Sequence, residues 1–94
     1  MQNTVNEDFD YRIKKLIYQS NHRGCKELDI ILGSFANANL TKLNIKQLDL
    51  YEAMCLNDEW DIYSWILKSD NSGNPFNEIL LIIQTFISQN QYAK

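Results

Sequence analysis

Apolar residues recur along this chain at intervals of three and four, the spacing of one face of an α-helix. Five such stretches follow one another, and none shows the sustained alternation expected of a β-strand. Their apolar positions are Phe9, Ile13, Leu16 and Ile17; Leu28, Ile31, Leu32 and Phe35; Leu48, Tyr51, Met54 and Cys55; Ile62, Trp65 and Ile66; and Phe76, Ile79, Leu80, Ile83, Phe86 and Ile87. The pattern predicts an all-α fold, a compact bundle of about five short helices that are mostly antiparallel.

The polar and glycine positions between these faces predict where the first two helices begin and end. Asp8 or Asp10 fits a helix cap or a first-turn acid before the first apolar face. Gly24 ends or bends the first helix, since glycine is the usual residue where a helix must stop or turn sharply. The polar stretch 36–39 is expected to be a loop that follows the second helix.

The later helices carry clearer start signals. Asn44 followed by Gln47 matches a variant of the capping box, and Leu43 and Leu48 are spaced to form a hydrophobic staple around it. The other predicted boundaries are Asn57 or Asp58 at the start of the fourth helix, a breaker at 69–73, and Asn74 with Pro75 at the start of the fifth.

Length and composition indicate one small domain. The 94 residues form a single helical domain, with residues 1–8 predicted to be a loosely ordered N-terminal extension. The two cysteines have no C-x-x-C spacing and His22 is the only histidine, which argues against a structural zinc site or a disulfide scaffold. The longest apolar run, 79–83, is too short for a membrane span, so we do not expect a membrane-embedded protein.

Charge is unevenly distributed along the chain. Residues 12–26 carry five cations and no acid, whereas the whole chain has a net charge of −3 and a pI near 4.9. A short basic segment on an acidic body either steers an anionic partner or forms a solvated helix face, and both interpretations stay open here. The acidic pI argues against a general nucleic-acid-binding protein.

The chain shows no pattern typical of an enzyme. Cys25 lies three residues from His22, but nothing in the sequence identifies a third group that would orient a catalytic pair. The three glycines are too scattered to form a phosphate-binding loop. We therefore expect no catalytic residues and no metal site.

One short segment, residues 23–27, combines features of a binding site. It lies between the first two predicted helices, and Arg23 and Glu27 are expected to project outward from it. If the backbone stays helical through Gly24, the two side chains share one face; if Gly24 breaks the helix, they belong to the ends of two successive helices. Arginine is suited to bidentate capture of a carboxylate or phosphate. The alternative is an intramolecular Arg23–Glu27 pair that steadies the corner.

From residue 12 onward the sequence resembles the SdhE-type FAD assembly factors, the succinate dehydrogenase assembly factor family. The family signature R-G-x-x-E is carried by Arg23, Gly24 and Glu27. Further matching positions, with consistent spacing over residues 12–67, are Arg12, Tyr18, Leu28, Asp29, Leu32, Phe35, Leu43, Leu48, Tyr51, Glu52, Met54 and the block 61–65, which is similar to D-L-x-x-W. The sequence departs from the family at His22, at Cys25, where methionine is common, and at Trp60, where proline is frequent.

The resemblance implies an assembly factor and not an enzyme. Members bind the flavoprotein subunit of succinate dehydrogenase, and in some bacteria that of fumarate reductase, and promote covalent attachment of FAD to a histidine of that subunit. The resemblance also implies that no cofactor is bound stably, because FAD is delivered to the client flavoprotein. The hypothesis for the partner surface has Arg23, Gly24 and Glu27 in direct contact, with Asp29, Lys14, Lys15 and Lys26 at the rim. Tyr18 and Trp65 are more typical of core than of contact.

Other functions and properties stay open at this point. An antitoxin that binds a protein toxin would use the same surface. A direct FAD carrier would hold the pyrophosphate with Arg23 and nearby lysines, although a bundle this small offers no obvious flavin pocket. Residues 1–10 are acidic and lack arginine, which is unlike a secretory signal or an organellar transit peptide and favours a cytoplasmic location. With the family resemblance, the expectation is a bacterial cytoplasmic protein, with a mature mitochondrial matrix form as the alternative. We expect a monomer, with a helix-swapped dimer as the alternative.

Overall fold

The five periodic apolar faces correspond to five α-helices in the computed structural model, which describes residues 4–90, with side chains from residue 8 onward. The helices are α1 (Thr4–Asn21), α2 (Lys26–Asn39), α3 (Ile45–Cys55), α4 (Glu59–Leu67) and α5 (Asn77–Asn90), and a short 3-10 helix (Leu40–Lys42) follows α2. No strand forms in the described range. The predicted all-α bundle is confirmed.

The apolar faces meet in one core to which every helix contributes. The ring of Phe35 on α2 lies 5.7 Å from that of Tyr51 on α3 and 5.6 Å, edge to face, from that of Phe86 on α5. Aromatic pairs at this separation add packing energy beyond the area that they bury. The other fully buried large side chains are Leu28, Leu32, Leu40, Leu48, Met54, Ile62, Ile79, Leu80 and Ile83.

Two polar clusters join α1 to α3. Inside the bundle, the Ser20 hydroxyl donates to the carbonyl of Leu16 at 2.7 Å and lies 2.6 Å from the Tyr51 hydroxyl. At the surface, the Arg12 guanidinium contacts Asp49 at 2.7 Å and Glu52 at 2.6 Å. These two carboxylates raise the pKa of Arg12. Together the clusters fix α1 against α3, the helix that leads toward the candidate site.

Two predicted helix boundaries are wrong. The first helix begins at Thr4, so Asp8 and Asp10 lie within it, because residues 4–7 contain neither glycine nor proline to stop the helix. The stretch 36–39 is helical and not a loop, because Ala36 is buried in the core and the Asn39 amide donates back to the carbonyl of Phe35 at 3.3 Å. Of the predicted extension over residues 1–8, residues 1–3 lie outside the described part and the rest belong to α1.

The start signals of α3 and α4 are confirmed, whereas α5 begins at Asn77, two residues after Pro75, which was predicted to lie in its first turn. The Asn44 side chain accepts from the Gln47 amide at 2.8 Å, and the Gln47 side chain accepts from the Asn44 amide at 3.1 Å, which completes the capping box. Asp58, the second of the two predicted candidates, caps α4 by accepting from the Trp60 amide at 2.9 Å. The Asn74 side chain accepts from the Phe76 amide at 2.8 Å, and regular helix follows from Asn77.

Within the described part of the chain, no helix combines the length and the hydropathy that a membrane-spanning helix requires.

Candidate functional site

The corner between α1 and α2 is built around Gly24. Its backbone has φ of +95°, a conformation that glycine adopts readily and other residues rarely do, so the helix breaks here. Of the two geometries open to the sequence, the broken one is therefore present. The corner is tied to α2 because the Arg23 amide donates to Asp29 Oδ1 at 2.6 Å. Asp29 is thus a structural element of the corner as well as a predicted rim residue.

The expectation that the Arg23 side chain projects outward is wrong. The side chain is only 9% exposed, and its Nη2 lies 3.2 Å from the Asn57 carbonyl and 3.1 Å from Glu59 Oε2. The guanidinium turns inward because the corner between α3 and α4, residues 56–59, offers it a neutral acceptor, the Asn57 carbonyl, and a charged one, the Glu59 carboxylate. Its Nε is buried and has no hydrogen-bond partner within the described residues. Arg23 therefore joins two corners, and its ion pair is with Glu59, not with Glu27.

The rest of the signature stays accessible. Gly24, Lys26 and Glu27 are exposed, and a Cβ added at Gly24 would meet no atom within 4 Å. The Glu27 carboxylate accepts from the Cys25 thiol at 3.8 Å, a weak interaction. The corner therefore presents an unobstructed backbone beside a carboxylate that is available to a partner.

A surface groove of about 620 Å³ separates the two corners. One wall is formed by residues 23–27, and the other by Asp58, Glu59, Trp60 and Tyr63. Trp60 is 78% exposed, although tryptophan is usually well buried. Trp60 is predicted from the sequence only as a departure from the family, and Glu59 is not among the predicted site residues. The available signal was that Trp60 lies off the apolar face that Ile62 and Ile66 define.

The predicted rim is only partly assembled. Lys26 lines the groove, whereas Lys14 and Lys15 are exposed on α1 and line other surface depressions. Tyr18 is 64% exposed, so the expectation that it belongs to the core is wrong. Its ring stacks on that of His22, with 4.2 Å between centroids. Trp65 is partly buried and packs against Phe76, as expected for a core residue.

The titratable side chains near the corner do not form a reactive cluster. His22 Nδ1 lies 2.8 Å from the Tyr18 carbonyl, and Cys25 is engaged with Glu27, so the structure does not pair the two. Burial raises the pKa of the Cys55 thiol to about 11. Over the described residues, no group of three or more His, Cys, Asp or Glu side chains converges as metal ligands would.

The described residues form a small helical protein with an accessible corner beside a surface groove. A family model described as the flavinator of succinate dehydrogenase matches residues 14–87. The chain belongs to this family of succinate dehydrogenase assembly factors, which confirms the resemblance found in the sequence.

Curated relatives agree with the family model. The chain is similar to proteins named succinate dehydrogenase assembly factor 2, mitochondrial, from several eukaryotes. Identity is 40% over 96 aligned positions for Candida glabrata (96% of this chain, 61% of the relative). For Dictyostelium discoideum the identity is 43% over 72 positions, which cover 76% of this chain and 51% of the relative. For Saccharomyces cerevisiae it is 41% over 65 positions, which cover 69% of this chain and 40% of the relative. The chain thus spans between two fifths and three fifths of these relatives' lengths. No solved structure matches it.

These relatives correct the expected location of the protein and give no support to one alternative function. Because they are mitochondrial proteins of eukaryotes, the assignment to the bacterial cytoplasm is wrong. That assignment relied on the acidic composition of residues 1–10, which does not determine the compartment. The antitoxin alternative receives no support from the family model or from these relatives.

Proposed function

We propose that this chain acts in mitochondria, where it binds the flavoprotein subunit of succinate dehydrogenase and promotes covalent attachment of FAD to a histidine of that subunit. Family membership supports this role, and so do the names of the relatives. In this proposal the chain is not an enzyme and holds no FAD stably. The cofactor is delivered to the client.

The observation that carries the proposal is the accessible half of the R-G-x-x-E signature. Gly24 has open space around its Cα, so a partner backbone can approach it closely. Glu27 is exposed beside it and offers a carboxylate to a cationic or amide donor of the client. Arg23 supports this surface from behind, through its contacts with Asn57 and Glu59.

The cations near the corner have a secondary role in this proposal. Lys26 lies in the groove, while Lys14 and Lys15 extend the positive charge along α1. Charges at the rim of an interface change the encounter rate and its salt dependence more than the final affinity. Asp29 contributes by fixing the corner, since its carboxylate accepts from the Arg23 amide.

Binding alone is sufficient to promote the reaction. If the client samples a conformation competent for flavin attachment, a factor that binds this conformation better than the others increases its population. A differential affinity of about 5.5 kcal/mol moves a two-state equilibrium from roughly 1:99 to 99:1. The factor therefore needs a rigid, complementary surface and no catalytic group.

A pair of glycine variants tests the proposal. In cells that lack the factor, the flavoprotein subunit is co-expressed with the wild-type chain, with Gly24→Arg or with Gly73→Arg, and covalent flavin is measured by in-gel fluorescence. Gly73 is a matched control because its φ is +85° and a Cβ there would also meet open space, so both variants carry similar backbone strain. We expect Gly24→Arg to lose flavin attachment and Gly73→Arg to keep it. Equal flavin with all three chains would overturn the proposal.

A further inference from the structure

The two most exposed large apolar side chains of the described residues lie on either side of one ion pair. Leu56, at the end of α3, is 85% exposed, and Trp60, in the first turn of α4, is 78% exposed. Trp60 lines the groove that also contains Gly24. Leu56 lines a second groove of about 440 Å³ together with Tyr18. Both grooves share Arg23 and Glu59, so the ion pair separates them.

The backbone that carries these two side chains is held by hydrogen bonds. Asn57, between them in sequence, accepts from Arg23 through its carbonyl and donates through its amide to the carbonyls of Ala53 and Met54. The Trp60 amide is fixed by the Asp58 side chain. An interface residue held in place before binding loses less conformational entropy when the partner arrives. Exposed tryptophan beside a fixed groove is the residue type that most often dominates binding energy.

The corner alone is too small for a stable interface. Standard interfaces bury about 800 Å² on each partner, whereas the corner offers a glycine and two charged side chains. A single tryptophan contributes about 150–250 Å² when it is buried. Trp60, Leu56 and Tyr18 add exposed apolar area next to the corner, and they adjoin it through the Arg23–Glu59 pair.

We infer that the partner surface extends from the corner across the Arg23–Glu59 pair, and that a segment of the client flavoprotein occupies both grooves with apolar side chains. This inference rests on the proposed function. The occupant also presents a basic group, because Glu27 and Asp58 are exposed acids that line the first groove, whereas Glu59 is paired with Arg23. Continuity with the corner favours the client over a second copy of this chain.

The test is a calorimetric titration of the purified flavoprotein subunit with wild-type chain, Trp60→Ala and Leu56→Ala. We expect Trp60→Ala to raise Kd by about 30-fold, the effect of losing a hot-spot residue. Leu56→Ala removes a smaller side chain and is expected to raise Kd by about fivefold. Leu81→Ala is the matched control, because Leu81 is 53% exposed on α5 in a different depression, and its Kd should stay within about twofold of wild type. All three positions are exposed, so the melting temperatures should be unchanged.

Each other outcome overturns the inference in a distinguishable way. Wild-type affinity for Trp60→Ala and Leu56→Ala, with loss of binding for Gly24→Arg, would confine the client to the corner and leave the proposed function intact. Absence of binding by the wild-type chain would remove the proposed function and the inference together. Sedimentation that shows a wild-type dimer broken by Trp60→Ala, with client binding unchanged, would assign the grooves to a second copy.

Discussion

The Arg23–Glu59 pair holds the candidate site together, so its removal has a predictable cost. Glu59→Gln keeps a side chain of the same size and a neutral acceptor for Nη2, but it removes the negative charge. The guanidinium, only 9% exposed, would then retain the Asn57 carbonyl and an amide as its acceptors. A buried charge that loses its counter-ion is destabilising even where the intact pair contributes little.

The magnitude follows from distance and exposure. Two unit charges about 3 Å apart attract by about 5 kcal/mol at an effective dielectric of about 20, before desolvation is subtracted. Glu59 is 37% exposed, so solvent screens the pair and its desolvation is incomplete. The loss should therefore lie between the roughly 1 kcal/mol of an exposed pair and the 3–5 kcal/mol of a broken buried one. We expect a decrease of about 2 kcal/mol in the free energy of unfolding.

Urea denaturation measures this loss directly, and for a domain of this size it corresponds to a fall in Tm of about 8–16 °C. Asp61→Asn is the matched control, because Asp61 is exposed in the first turn of the same helix and loses the same charge. Asp61→Asn should lower the free energy of unfolding by about 0.5 kcal/mol, because it loses only the favourable interaction of its charge with the helix dipole. Equal destabilisation by the two variants would refute the argument that Glu59 compensates a buried guanidinium.

Two further predictions concern the Ser20–Tyr51 contact between α1 and α3, and the Cys55 thiol at the end of α3. Ser20→Ala should cost about 1–3 kcal/mol, because it leaves the buried Tyr51 hydroxyl without its oxygen acceptor. Tyr51→Phe should cost about 1 kcal/mol or less, because Ser20 keeps its bond to the Leu16 carbonyl; similar urea midpoints for the two would contradict this asymmetry. Burial raises the pKa of Cys55 to about 11, so the folded state favours the neutral thiol. The neutral Cys55 thiol contributes its full stabilisation below the ordinary thiol pKa of about 9. As the pH rises from there to about 11, this contribution to the free energy of unfolding falls by up to about 1.4 kcal/mol per pH unit. Cys55→Ala should show a shallower alkaline loss of stability in urea titrations, and an identical pH profile would show that Cys55 does not titrate in this window.

Local signals in the sequence were sufficient to predict that the five helices exist and where the caps of α3 and α4 lie, but not where α1 begins or α2 ends. The Asn44–Gln47 box lies within four residues, and its hydrogen bonds depend on little outside that segment. The helix through 36–39 was missed because the burial of Ala36 is a tertiary property that overrides the polar local composition.

The candidate site was predicted in position but not in geometry. The signature located the corner, and Gly24 indicated the break. The orientation of Arg23 depends on Asn57 and Glu59, which lie 34 and 36 positions further along the chain, and residue spacing carries no information on such a contact. Trp60 was missed for the same reason, since its role comes from the groove that two distant corners form.

The most direct test of the central claim uses purified components. The apo flavoprotein subunit is incubated with FAD, with and without the wild-type chain, and covalent flavin is followed over time. We expect the wild-type chain to accelerate attachment, Gly73→Arg to do the same, and Gly24→Arg to leave the rate unchanged. Attachment at the same rate with and without the wild-type chain would contradict this expectation.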